Sequence, residues 1–187
     1  MASWREAHAA PARQTPASSV QRCEAPEDGW IKANADGALA KQHNKGGGGT
    51  ILRDHNGGYV ASACFYFPQC ADPERAELMA CLKAIKMARE WNVDMIHVEL
   101  DCQALAKMIL SPEKNFSPVG PWVEEVKRSL GEFMDLKVGW VRRSANSVAH
   151  KLARVGVGEE RCQVWAGVPP GFILDVVWMT FRFMFNI

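Results

Sequence analysis

The chain has 187 residues, 48% hydrophobic and 23% charged, with a formal net charge of +1 at pH 7. That length suits one domain with tails, at roughly 150 residues per domain, and no stretch is long and apolar enough to be expected to cross a bilayer. The near-neutral balance excludes a protein that holds nucleic acid by bulk electrostatics, because neutralising several phosphates takes a visible basic excess; any such contact has to be local.

Six cysteines, at 23, 64, 70, 81, 102 and 162, form no C-x-x-C pair, and several fall in apolar runs where a thiol packs as a small hydrophobe. This points to a reducing, intracellular setting, nuclear or cytosolic. Met1 to Arg22 is rich in Ala, Pro and Ser, with three Arg against one Glu. It has no charged leader followed by an apolar run, so a linker and an organellar transit peptide both stay open.

Residues 1–29 read as a loosely ordered arm, with a short helix expected around Trp4 to Ala9 and an acidic turn at Glu27, Asp28 and Gly29. A first strand is expected over residues 30–36, where Ile31, Ala33 and Ala35 share one face and Asp36 closes the strand. A glycine-rich stretch, KGGGGTILRD, leads into a second strand from about Gly48 to Arg53, and Asn56-Gly57 is a hairpin signal before a third strand near 58–66. Asp72 as N-cap and Pro73 at the first helical position open a long amphipathic helix carrying Leu78, Leu82 and Ile85. A strand at 95–100, a helix ending before Pro112, a helix from about Val119 to Leu130, a strand at 136–141 and a last helix ending at Gly156 complete the order βββαβααβα. Residues 157–187 are expected to be an apolar tail. Its segment from Phe172 to Ile187 is dense in Phe, Met, Val and Trp but broken by Asp175 and Arg182, and it would dock on the domain or promote aggregation.

Basic groups cluster at Lys41 with Lys45, at Lys83 with Lys86 and Arg89, and at Arg142 with Arg143, each of which is a solvated face or a local phosphate contact. Three carboxylates stand at comparable points: Asp36 at the end of the first strand, Glu77 in the opening turns of the long helix and Asp101 where the fourth strand ends. A carboxylate out of water is costly unless paired, so Asp36 is either a turn residue beside Gly37 or half of a cation site. Singly, Glu77 could favour the positive end of its helix and Asp101 could be an N-cap.

ANADGALA, GGGTILRDHNG, ERAELMACLKAI, VELDCQAL and ANSVAHKLA occur in the order and rough spacing of the motifs of type 1 ribonuclease H domains. Over Trp30 to Gly156 the chain most closely resembles the reverse-transcriptase-like, retroelement-derived RNase H modules abundant in plant genomes. The resemblance implies an α/β fold, with a five-stranded mixed sheet, three antiparallel strands then two parallel, flanked by helices. It implies a divalent-metal-dependent endonuclease that cleaves the RNA strand of RNA/DNA hybrids with two Mg²⁺ or Mn²⁺ ions, held by Asp36, Glu77 and Asp101. Hard carboxylate oxygens suit such ions, and a metal pair can activate water on one side of a phosphate and stabilise the leaving oxygen on the other.

Several features depart from the classical pattern. His150 stands where the family has a fourth carboxylate, and on the last helix it lies four residues from Asn146, away from the apolar stripe of Val148, Leu152 and Val155. It faces either the metals, as a catalytic or ligand residue, or water. The loop VRRSAN lacks the family's loop histidine, and SPEKNFSPVGP is too short for the basic protrusion of some relatives. The surface expected to meet nucleic acid comprises Gly37, Gln103, Arg142, Arg143 and Asn146. The alternative implied is a weakly active or inactive module that binds hybrid or structured RNA.

Overall fold

The computed structural model describes residues 24–181. The short helix expected around Trp4 to Ala9 and Arg182 therefore lie outside the described residues. β1 (Trp30–Ala40), β2 (Lys45–Arg53) and β3 (Tyr59–Phe67) form an antiparallel meander. The turn between β2 and β3 is closed by the Asp54 carboxylate, which accepts from the amides of Asn56 and Gly58 at 2.9 and 2.7 Å, while Gly57 takes a positive φ of 74°. β4 (Met95–Leu100) then runs parallel to β1, and β5 (Asp135–Trp140) parallel to β4.

Two expectations about the sheet are corrected. It has six strands rather than five, in the order β5-β4-β1-β2-β3-β6, because β6 (Gln163–Ala166) pairs antiparallel with β3. The free edge of β3 offers unpaired amides and carbonyls, and a four-residue segment of the expected tail satisfies them. β1 also does not stop at Asp36. It continues to Ala40, still paired with β2 through Gly37↔Gly48, Ala38↔Gly47 and Leu39↔Gly46. Its pairing with β4 ends at Ala35↔Leu100. Asp36 thus stands in the body of a strand, where that strand loses one neighbour.

α1 (Pro73–Glu90) begins as expected, with the Asp72 carboxylate accepting from the amides of Glu74 and Arg75. With α2 (Gln103–Leu110) and α3 (Gly120–Leu130) it covers one face of the sheet, burying Ala33, Ala35 and Leu52 against Leu78, Ile85, Leu105 and Val126. The opposite face carries α4 (Ser147–Gly158) and α5 (Leu174–Phe181), with Ile51 and Cys64 packed against Val148, Leu152, Ile173 and Val177. The run of glycines in β2 permits this: a Cβ on Gly49 would lie 2.1 Å from the Ala149 carbonyl oxygen, so α4 rests directly on the strand backbone. Among the described residues no helix is long and apolar enough to cross a membrane.

Candidate active site

Asp36 sits on β1 on the α4 side of the sheet and is fully buried. Glu77 comes from the second turn of α1, and Asp101 from the residue that follows β4. One ligand oxygen from each of the three lies within 4.8 Å of the others. They converge because β1 and α1 touch at Gly37, where a Cβ would fall 2.5 Å from the Glu77 amide nitrogen. With no side chain there, the Gly37 N–H reaches across and donates to Glu77 Oε2 at 2.9 Å.

The cluster is under electrostatic stress. Burial, followed by the Asp101 charge, pushes the Asp36 carboxyl up to about 6, against the hydrogen bond to His150, which lowers it. Burial and then the charges of Asp36 and Asp101 push Glu77 up to about 9. Asp36 Oδ1 is buried without a hydrogen-bond partner. An orphaned anionic oxygen beside two further carboxylates fits a hard divalent cation, which supplies the missing positive charge and takes oxygen ligands.

His150, on α4, turns toward this cluster, its Nδ1 2.8 Å from Asp36 Oδ2. Nδ1 carries the proton when Asp36 is ionised. Arg143, in the 3₁₀ turn before α4, donates from Nε to Asp101 Oδ2 at 2.9 Å. Trp140 Nε1 donates to the Asp101 carbonyl at 3.1 Å. A cleft of about 570 Å³ opens beside the carboxylates, with Gly37, Arg143, His150 and Arg154 among its walls.

The other residues assigned to the nucleic-acid surface divide. Gln103 is exposed on the first turn of α2, and Arg142 is exposed ahead of α4. Asn146 is not at the surface, which corrects its place on the polar face of the last helix. It is 1% exposed, and its Nδ2 donates to the Ala35 carbonyl at 2.8 Å, bracketing the start of α4 to β1. The 3₁₀ turn at Arg143–Asn146 precedes the helix, so Asn146 does not share the helical register of His150. Of the other basic clusters, Lys45 pairs with Glu160, Arg89 with Glu132, and Lys83 lies 5.5 Å from the centre of the Phe65 ring.

Sequence reasoning missed a second buried polar group on the same face. Lys32 Nζ lies 2.6 Å from Glu99 Oε1, Asn34 Nδ2 donates to Glu99 Oε2 at 2.8 Å, and Arg53 donates to Asn34 Oδ1 at 3.2 Å. Its signal was the alternation Lys32, Asn34, Asp36, which places all three on one face of β1. Arg154 was missed as well, although it follows His150 by four residues and so shares its side of α4.

Residues 34–156 match the model of the family described as reverse transcriptase-like, and the chain belongs to that family. An Arabidopsis thaliana protein named "Putative ribonuclease H protein" is 26% identical over 125 residues, which are 67% of this chain and 20% of that protein. The chain therefore spans about a fifth of the length of this curated relative. RNase H1 of the halophilic archaeon Halobacterium salinarum NRC-1 shares the fold with a TM-score of 0.65 at 24% identity, over 70% of this chain and 98% of that one. LC11-RNase H1, isolated from compost by a metagenomic approach and solved in complex with an RNA/DNA hybrid, gives 0.63 at 16% identity over 70% and 98%. The domain has the RNase H fold of these neighbours.

Proposed function

We propose that the domain is a divalent-metal-dependent endonuclease that hydrolyses the RNA strand of RNA/DNA hybrids. The observation that carries this reading is the convergence of Asp36, Glu77 and Asp101, with one buried Asp36 oxygen left unpartnered, in a chain whose plant relative bears a ribonuclease H name. Asp36, Glu77 and Asp101 would hold Mg²⁺ or Mn²⁺, two ions in the full reading, with His150 as a further ligand or as the group that orients Asp36. When bound, such ions supply an acidified water and charge to offset the phosphate oxygens.

The chain's own groups do the rest. The Gly37 N–H fixes one Glu77 oxygen and leaves the other free to ligate. His150 holds Asp36 Oδ2 from the α4 side, and Asp36 Oδ1 is left without a protein partner. Gln103, Arg142, Arg143 and the Gly37 backbone border the surface on which a hybrid would lie, and no protein nucleophile is required. Labelled RNA/DNA hybrid incubated with Mg²⁺ or Mn²⁺ tests this. Cleavage by the wild type and none by Asp36→Asn is expected, while equal cleavage by a pure Asp36→Asn variant would overturn it.

A second reading is a retroelement-derived module that binds hybrid or structured RNA with little turnover. It is favoured by His150 standing in place of a fourth carboxylate, and by Asp36 and Asp101 each already paired to a basic side chain. In the same assay it would give binding without cleavage.

A further inference from the structure

Asp101 and Arg143 make an unequal pair. The Asp101 side chain is 5% exposed and the Arg143 side chain 68%. Asp101 is held from below by structure: Trp140 Nε1 bonds its carbonyl, and the Val141 amide bonds the carbonyl of Leu100 at 2.9 Å. Arg143 instead reaches in from an exposed turn, with one Nε contact to Asp101 Oδ2 and the open cleft beside it. The Asp101 ligand oxygen lies within 4.8 Å of those of Asp36 and Glu77, so the charge of Arg143 stands at the edge of the whole cluster. The guanidinium thus feels all three carboxylates while remaining free to leave.

We propose that Arg143 is an exchangeable counter-ion: it pairs with Asp101 while metal is absent, yields that carboxylate to an incoming divalent cation, and then binds a phosphate of the nucleic-acid backbone. The proposal rests on the metal-centre reading above. It follows from competition, because an Asp101 oxygen committed to Arg143 is masked from a metal, and a fixed positive charge at the same carboxylates repels one. Arg143, the 68% exposed partner, is held by a single contact and is solvated enough to be exchanged, and a displaced guanidinium beside an open cleft suits phosphate geometry well. Cation and backbone binding would then be coupled through one side chain.

The test uses the full chain and Mn²⁺ alone, titrated calorimetrically without nucleic acid. Arg143→Gln is expected to bind Mn²⁺ about five- to tenfold more tightly than wild type, since one competing charge is gone. Arg128→Gln, which removes an equal charge from its pair with Glu125 on α3, should stay within about twofold, that distance and solvent screening being the reason. In the ¹⁵N spectrum of the wild type, Mg²⁺ should move the Arg143 Nε–H signal toward that of a solvated arginine. With Ca²⁺ present, Arg143→Gln should bind an RNA/DNA hybrid more weakly, with a salt slope lower by about one. If Asp36→Asn abolishes Mn²⁺ binding but Arg143→Gln leaves it unchanged or weaker, the metal centre stands and the exchange is overturned. If the wild type binds no Mn²⁺, both fall.

Discussion

Two polar clusters lie about two residues apart along β1 and β4, with Asp36 on the same face of the sheet as Lys32 and Asn34, and they are built on opposite principles. Lys32, Asn34, Arg53 and Glu99 interlock, with Glu99 engaged at both oxygens and Lys32 also donating to the Glu24 carbonyl. Asp36, Glu77 and Asp101 concentrate like charge and leave Asp36 Oδ1 without a partner. The first cluster satisfies both oxygens of its one carboxylate within the protein alone. In the second, one buried carboxylate oxygen is left unengaged by the protein. A fold tolerates an unsatisfied buried anion where neighbouring strands and helices leave it no route to water, and here the complete cluster fastens β1 to β4 just below the incomplete one.

The comparison breaks most visibly if the complete cluster is opened. Glu99→Ala should destabilise the protein by about 3–5 kcal/mol, because it leaves the Lys32 ammonium, 3% exposed, without its counter-ion. Denaturant titration measures this, and a loss below about 1 kcal/mol would mean that water or another group replaces Glu99. Asp36→Asn and Asp101→Asn should instead each reduce hybrid cleavage at least about a hundredfold, through loss of ligand charge, while the protein stays folded. Cleavage by a pure double variant would show that the incomplete cluster is not the reaction centre.

The incomplete cluster also makes stability depend on pH. The folded-state values of Asp36, about 6, and Glu77, about 9, lie above the ordinary values of 3.8 and 4.5. The folded protein therefore holds protons more tightly than the unfolded chain. The stability this confers is full below about pH 4 and is lost as pH rises through about 6 for Asp36 and about 9 for Glu77. Metal-free protein in a chelator should be less stable at pH 8 than at pH 5, by about 2 kcal/mol after allowance for partial solvent screening. Mn²⁺ should flatten that slope by taking the place of the protons. Stability that rose over this interval without metal would show that the carboxylates are not strained.

Much of the incomplete cluster is legible in the sequence, and little of the complete one is. The positions of Asp36, Glu77 and Asp101 follow local signals, an alternating strand, a capped helix start and a strand end, and the resemblance of their motifs to type 1 ribonuclease H domains is what joins them. Asp72 and Asn56-Gly57 are of the same kind. Lys32 and Asn34 share the alternation, but it does not reveal their burial, because a polar residue on a strand reads as solvent-facing until its partner is placed beside it, and for Asn34 that partner is 65 residues away. The continuation of β1 past Asp36 was hidden for the same reason, since it pairs chiefly with the run Gly46 to Gly48, whose β-propensity is low and which brings no side chain to the pairing. β6 is four residues long and exists because β3 has a free edge. Asn146 was misplaced by one local event, the 3₁₀ turn that sets the true start of α4. Where a residue's role depends on what lies across the sheet, periodicity along the chain does not reveal it.

The smallest expected effect lies on the border of the incomplete cluster, at His150. Its Nδ1 meets Asp36 Oδ2 at 2.8 Å, so it satisfies one oxygen of the strained acid without adding negative charge to the ligand set. A neutral imidazole is a poor ligand for Mg²⁺ and a better one for Mn²⁺, so the wild type should favour Mn²⁺. His150→Asp adds a hard, charged oxygen donor and should raise Mg²⁺ affinity about tenfold, roughly the worth of one carboxylate charge in a partly exposed site at an effective dielectric near 20. The same substitution should make the metal-free protein less stable, because a fourth carboxylate joins three that already repel one another. His150→Ala separates charge from contact: it frees Asp36 Oδ2 and adds nothing, so Mg²⁺ affinity should change less than in His150→Asp. Calorimetric titration of both metals into the three proteins reads all of this. Equal Mg²⁺ and Mn²⁺ affinities in wild type, unmoved by either substitution, would place His150 outside the cation site and leave it only as a hydrogen-bond partner of Asp36.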